Sequence, residues 1–263
     1  MRAATRPVAI GVGLALVAAA CAVLAGPLFP FHPAPDRGIA AAVARATDLD
    51  AYLASEEAGV SGVKPALRKG IVWHDTLERA RTPFAIVYLH GFSASRAELS
   101  PVIEQVGARI RANVFFTRLA AHGRVDGEAF ADVHPQQWMD DAREALAIGR
   151  RIGERVVVVG MSTGALLALQ LAAEQPDSAG FAALVLISPN HEPADRRARF
   201  IAGPLGRMLA HAIVGPRRSY EASNASHAEL WTTTYRSEGL VALMDLVNGT
   251  RRLDLSRITY PTT

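Results

Sequence analysis

Along this chain, short uninterrupted apolar runs alternate with longer stretches in which apolar residues return every three or four positions. Runs of the first kind occupy residues 70–74, 84–89, 113–117, 155–160 and 181–188, and each has the length of a strand covered on both faces. Stretches of the second kind follow Thr47 and fill 98–112, 136–152, 165–174 and 237–248. In 98–112 the apolar positions are Val102, Ile103, Val106 and Ile110, and the 165–174 pattern stops just before Pro176. Strand and helix alternating over short connections predict an α/β fold, a mostly parallel sheet with helices on both faces.

The alternation breaks at two places. Near the amino end, Arg2 and Arg6 precede an uncharged run from Val8 to Ala25 that continues to Phe31, with Asp36 and Arg37 beyond it. Residues 1–31 therefore predict a membrane anchor or signal segment that leaves the rest of the chain extracytoplasmic, in a periplasm or outside the cell. A cleaved signal ending near Ala18, Ala19 and Ala20, giving a secreted protein, and acylation of Cys21 are the competing readings. Residues 32–69 read as a linker, proline-rich from Pro30 to Pro35, followed by a short capped helix. Residues 70–263 read as an incomplete α/β core, its last strand or strands and terminal helix missing, interrupted at about 190–235 by a cap or lid insertion. Open α/β sheets bind ligands at their carboxyl edge, so an insertion there is placed to line a pocket, with Leu205, Met208, Leu209, Ile213 and Val214 as candidate lining.

Composition narrows the function classes. With 263 residues, half of them hydrophobic, the chain can bury a large core and is neither disordered nor a coiled coil. The net charge of +3 comes from scattered arginines rather than a basic block, which argues against a nucleic-acid partner. A single cysteine excludes an internal disulfide framework, and no histidine spacing matches a metal motif, so no metal or other cofactor is implied.

The candidate chemistry sits at two strand ends. Gly160-Met161-Ser162-Thr163-Gly164 follows four consecutive valines and opens a helix, the strand-turn-helix setting of a nucleophile elbow. A sharp turn there leaves no room for bulk two positions before or after the serine, hence Gly160 and Gly164, and the helix beginning at Thr163 aims free N–H groups at the site. His90-Gly91-Phe92 follows the 84–89 run directly, and Gly91 lets the backbone turn close to a substrate. These motifs resemble the α/β-hydrolase superfamily, near its carboxylesterase and monoacylglycerol lipase-like members. The resemblance runs from about Gly70 to the last residue. It implies Ser162 as nucleophile and the backbone N–H groups of Phe92 and Thr163 as oxyanion hole, each such donor contributing on the order of 3 kcal/mol to the transition state. It extends to Arg118-Leu-Ala-Ala-His122-Gly123, which is similar to the family's Leu-x-Gly-His-Gly turn with Ala121 in place of a glycine.

The resemblance also implies a triad in the chain order serine, acid, histidine. Residues 258–263 resemble the lead into the strand that precedes the acid, so acid and base are not found in the chain and are expected beyond Thr263. Internal substitutes are conceivable: His191, His211 or His227 with Asp245 or Asp254. His90 is read as bracing its turn, and Asp140 and Asp141 as capping or decorating a helix start. The expected activity is hydrolysis of carboxylic esters, small-molecule or lipid, through an acyl-enzyme on Ser162. Thioester or amide hydrolysis, and a non-catalytic membrane-anchored binding protein of the same fold, are the alternatives.

Overall fold

The computed structural model describes residues 12–14, 16–21, 30–175, 181–193, 198, 200–203, 205–259 and 261–263. Most of the expected anchor segment lies outside the described residues, with 12–14 and 16–21 helical. Among the described residues, no helix is long and apolar enough to cross a membrane.

Beyond that segment, helices α1 (Ile39–Arg45) and α2 (Leu49–Ala58) precede the sheet. The cap of α2 is Asp48, its carboxylate accepting the amides of Asp50 and Ala51. The core then runs β1 (Gly70–Val72), β2 (Thr82–Leu89), α3 (Val102–Arg109), β3 (Asn113–Phe116), α4 (Pro135–Ile152), β4 (Gly153–Met161), α5 (Thr163–Glu174) and β5 (Phe181–Ile187). The insertion holds α6 (Gly206–Val214), β6 (Arg217–Ser219), α7 (Ala225–Leu230) and β7 (Thr234–Arg236), after which α8 (Glu238–Thr250) returns to the core.

The five strands order as β1-β3-β2-β4-β5, with β1 antiparallel and the rest parallel. Thr262 forms a parallel bridge with Leu184 of β5, and Thr263 N–H donates to the Leu184 carbonyl at 3.1 Å, so residues 261–263 extend the sheet beyond β5. The chain leaves β2 for β3 on one side and comes back to β4 on the other. Such a reversal opens a crevice at the carboxyl ends of β2 and β4, where a ligand site is expected.

Alternation along the strands sorts the core into two faces. Ala85, Val87, Leu89, Phe115, Val156 and Val158 pack with α4, α5 and α8 in one large buried cluster. Ile86, Tyr88, Val114, Phe116 and Val159 form a smaller cluster on the other face, with Ile103 of α3.

Here the structure corrects the reading of 98–112. The helix starts only at Val102, and it buries Ile103 and Gly107 while Val102, Val106 and Ile110 stay exposed. The residue before a proline is disfavoured in helical geometry, so Ser100 and Pro101 delay the start. Glu98, freed from the helix, turns back toward β2.

The expected lining of the insertion is corrected in part. Met208 and Ile213 lie on the outside of α6, 56% and 68% exposed, and Leu205, Leu209 and Val214 are half-buried. Strands β6 and β7 pair as an antiparallel hairpin.

Candidate active site

Ser162 stands at the junction of β4 and α5 with φ 51° and ψ −108°, in the left-handed region that a side chain enters only under strain. Its amide donates to the Ile187 carbonyl at 2.9 Å, and its own carbonyl accepts from Ala165 and Leu166 at the start of α5. The glycines two positions away are required by contact. A methyl group at Gly164 would meet the Leu89 carbonyl oxygen at 1.9 Å, and one at Gly160 would meet the Gly164 carbonyl oxygen at 2.5 Å. Helix α5 is thereby pressed against the end of β2, and the serine is pushed out over the sheet edge, half-buried.

The turn after β2 lies directly beside it, since a methyl group built on Gly91 would sit 3.4 Å from the Ser162 Cβ. The same methyl group would approach Glu98 Oε1 to 2.9 Å, because the Glu98 carboxylate is folded over the turn. Glu98 accepts from the Gly91 amide at 2.8 Å and from the Tyr88 hydroxyl at 2.9 Å. Burial pushes the Glu98 carboxyl above its ordinary range, against the pull of these two donors. The Gly91 amide is thus occupied, whereas among the described residues no acceptor takes the amide of Phe92 or of Thr163. These are the two groups in which the family resemblance implies an oxyanion hole.

Two histidines brace the turn. His90 is fully buried, with Nδ1 2.9 Å from the Gly91 carbonyl and Nε2 accepting from the Leu119 amide at 3.1 Å. His122, also fully buried, has Nδ1 2.9 Å from the Ala120 carbonyl and Nε2 accepting from the Ser93 amide at 3.0 Å. Burial pushes the His90 imidazole down to about 4 and holds His122 well below the ordinary histidine range, so both are neutral at pH 7. The Phe92 ring fits edge-on among His122, Phe130, Trp138 and Tyr235, with centroids 5.2–6.0 Å away.

Behind the 118–122 turn lies a residue the sequence misplaced. Helix α4 begins at Pro135 with His134 as its cap, so Asp140 and Asp141 fall in its second turn and cap nothing. Asp140 pairs with Arg143 at 3.0 Å. Asp141 accepts the Ala120 amide at 2.6 Å, and burial pushes its carboxyl up to about 7. It lines a cavity of about 400 Å³ with Glu56, Lys69 and Arg118, and Lys69 and Arg118 are paired to buried Glu144 and Glu57. Ala121, where the family has glycine, adopts φ 69°.

The insertion is tied to the turn after β2 rather than standing clear of it. Ser93 Oγ lies 3.0 Å from the Tyr220 hydroxyl, and the Ser93 carbonyl accepts the Thr232 amide at 2.8 Å. Nothing in the sequence pattern signalled these contacts.

The internal candidates for acid and base are not brought together. His191 is exposed, His211 Nε2 is 3.0 Å from Glu238, and His227 Nδ1 accepts from the Ser223 amide at 3.1 Å. Asp245 accepts the Gly203 amide at 3.2 Å, and Asp254 accepts the Ser256 amide at 3.1 Å. Among the described residues, no histidine or carboxylate hydrogen-bonds the Ser162 hydroxyl, and no group of three or more His, Cys, Asp or Glu side chains is arranged to hold a metal ion.

A family model described as "Alpha/beta hydrolase family" matches residues 86–261, which span β2, both turns, the elbow and the insertion. The chain belongs to the alpha/beta hydrolase family. A search of the curated proteins finds no match. Among solved structures, one of two metagenome-derived lipolytic enzymes, LipS and LipT, is similar at 16% identity with a TM-score of 0.61, covering 76% of this chain and 75% of that one. The monoacylglycerol lipase of Paleococcus ferrophilus has 16% identity and a TM-score of 0.48 over 74% of this chain and 75% of its own. The enol-lactonase of Burkholderia xenovorans LB400 has 17% identity and a TM-score of 0.44 over 74% and 75%. At these identities the first of them speaks for the α/β-hydrolase fold, and the other two carry no argument.

Proposed function

We propose that this member of the family hydrolyses carboxylic esters through an acyl-enzyme on Ser162. The observation that carries the reading is the meeting of two turns. A serine held in the left-handed region at the head of α5 faces a backbone turn whose next amide, that of Phe92, has no acceptor among the described residues. In this reading Ser162 Oγ attacks the ester carbonyl carbon, its proton passes to a base, and the carbonyl oxygen becomes an oxyanion between the Phe92 and Thr163 amides. Collapse expels the alcohol, which takes up the proton, and water then releases the acid and restores the hydroxyl. No cofactor enters these steps. The substrate is a small-molecule or lipid ester reaching the crevice beside the β6–β7 hairpin.

The test is covalent labelling of the purified protein by a fluorophosphonate, with Ser162→Ala beside it, together with turnover of short-chain p-nitrophenyl esters. Labelling that maps to Ser162 and vanishes in Ser162→Ala, with matching ester turnover, is the expected result. Absence of labelling and turnover defeats the reading and leaves a binding protein of this fold; labelling with turnover of thioesters or amides but not esters moves the substrate class.

A further inference from the structure

The turns after β2 and β3 hold each other by an exchange of histidines. The first turn supplies His90, whose Nε2 takes an amide of the second, Leu119. The second supplies His122, whose Nε2 takes an amide of the first, Ser93. The two imidazoles meet edge-on, centroids 5.0 Å apart.

Geometry alone settles both tautomers. Each Nδ1 faces a carbonyl, which only accepts, so each Nδ1 carries the proton; each Nε2 faces an N–H, which only donates, so each Nε2 is bare. A proton added at either Nε2 would set a donor against a donor and open the exchange.

We propose that this reciprocal histidine clasp sets the position of the Phe92 amide relative to Ser162, which makes His122 a positioning residue for acyl transfer. Ser93, the residue it holds, is next to Phe92 and sits at φ 58°, a conformation that does not hold itself. Without the His122 contact, the Ser93 amide is left buried and unpaired, and the turn is free to rotate its neighbouring amide away from the serine. The ring that holds it cannot drift, being packed edge-on against Phe92, Phe130 and Trp138. Asp141 steadies the same arrangement from behind through the Ala120 amide, and the Ala120 carbonyl receives both the His122 ring and the Trp138 indole N–H. The geometry of the clasp stands by itself; its consequence for rate rests on the acyl-transfer reading of Ser162.

The decisive comparison is His122→Met, which fills the volume without the acceptor, against His122→Gln, whose amide oxygen reaches the place of Nε2. Backbone hydrogen exchange is read on both, and so are the fluorophosphonate labelling rate and ester kinetics. In His122→Met, exchange quickens at residues 91–93 while 162–166 keep their protection, the labelling rate and kcat fall ~30-fold with KM within about twofold, and His122→Gln recovers most of the loss. Unchanged exchange at 91–93, or equal rates in the Met and Gln variants, overturns the clasp. If the wild-type protein fails to label while exchange responds as stated, the acyl-transfer reading falls and the clasp stands. Where His122→Met does not fold, nitrogen-15 spectra of the wild-type histidines decide: both rings must show a protonated Nδ1 and a bare Nε2 from pH 8 to 5, and an Nε2–H tautomer in either one removes the clasp.

Discussion

The elbow at Ser162 and the turn at Phe92 lie side by side at the ends of β4 and β2, yet they are held by different physics. The elbow is made by backbone contact. Gly160 and Gly164 are present because no atom fits where their side chains would go, and the strain at Ser162 is locked by the β4 and α5 backbones on either side of it. The Phe92 turn is made by side chains from elsewhere in the chain: Glu98 on the Gly91 amide, His122 on the Ser93 amide, and an aromatic cage around the Phe92 ring. Steric exclusion has no pH dependence, whereas a turn built from buried histidines and carboxyls titrates. Ser162 is therefore fixed under conditions in which the neighbouring Phe92 amide is adjustable.

The harshest way to break the elbow is Gly164→Ala. Its methyl group meets the Leu89 carbonyl oxygen at 1.9 Å, backbone against backbone, so neither side can yield as a flexible side chain does. Overpacking of this kind costs at least about 3 kcal/mol, a large share of a domain's stability. Urea unfolding is expected to show that loss with the same magnitude at pH 5 and pH 8, and a loss under about 1 kcal/mol would mean that the strand and helix separate easily.

On the other side of the crevice, acid should act first. The unfolded chain binds protons at His90 and His122 near pH 6.5, while native His90 holds out to about 4 and His122 is also well below its ordinary range. More protons bind the unfolded state in this window, so stability is lost as pH falls below 6.5, at up to about 1.4 kcal/mol per pH unit for each ring. His122→Gln removes one of these groups. Its urea midpoint between pH 6.5 and 5 should fall less steeply than that of the wild type, and parallel curves would show that His122 does not titrate on unfolding.

Asp141 works in the opposite direction. Its carboxyl is raised to about 7 by burial, so the native state keeps a proton that the unfolded state has already released. The resulting destabilisation is absent below pH 4, grows as pH rises toward 7 and is complete above it. Asp141→Asn keeps an oxygen for the Ala120 amide and removes the charge. We expect it to gain about 2 kcal/mol over wild type at pH 8, discounted for the water-accessible cavity that Asp141 lines, and nothing at pH 4. An equal gain at both pH values would trace the effect to packing instead.

This difference in construction also decides what was legible beforehand. Strand β4, the elbow and α5 could be read because four valines, two glycines and a helical pattern are neighbours in sequence, and steric demands at fixed spacing leave fixed residue types. His90 was read as a brace because it adjoins the turn it supports. Its partner Leu119 and the matching pair His122–Ser93 were not, since each joins residues 29 apart that only the β2–β3 pairing brings together. Asp141 was misread for the same reason. Asp140 and Asp141 look alike in the sequence, and only the packing of α4 against the 118–122 turn separates an ion pair with Arg143 from a backbone acceptor. The reach assigned to the helix at 98–112 failed where Glu98 was taken up by Gly91 and Tyr88. The insertion carried no periodic signal for its grip on Ser93.

The smallest effect is also the one that separates the two constructions most cleanly. If Ser162 is strained because the elbow must place an oxygen over the sheet edge, relieving the strain should stabilise the fold while ending the chemistry. Glycine accepts φ 51° without the penalty of a Cβ, which is about 1–2 kcal/mol, and returns part of the gain through the greater freedom of the unfolded chain. Ser162→Gly is therefore expected to be more stable than the wild type by about 1 kcal/mol and inert to fluorophosphonate. Ser162→Ala, equally inert, keeps the Cβ and should match the wild type in urea. Equal stability of the glycine and alanine variants would show that the elbow carries no strain at Ser162, and that the fold makes no sacrifice to hold its nucleophile.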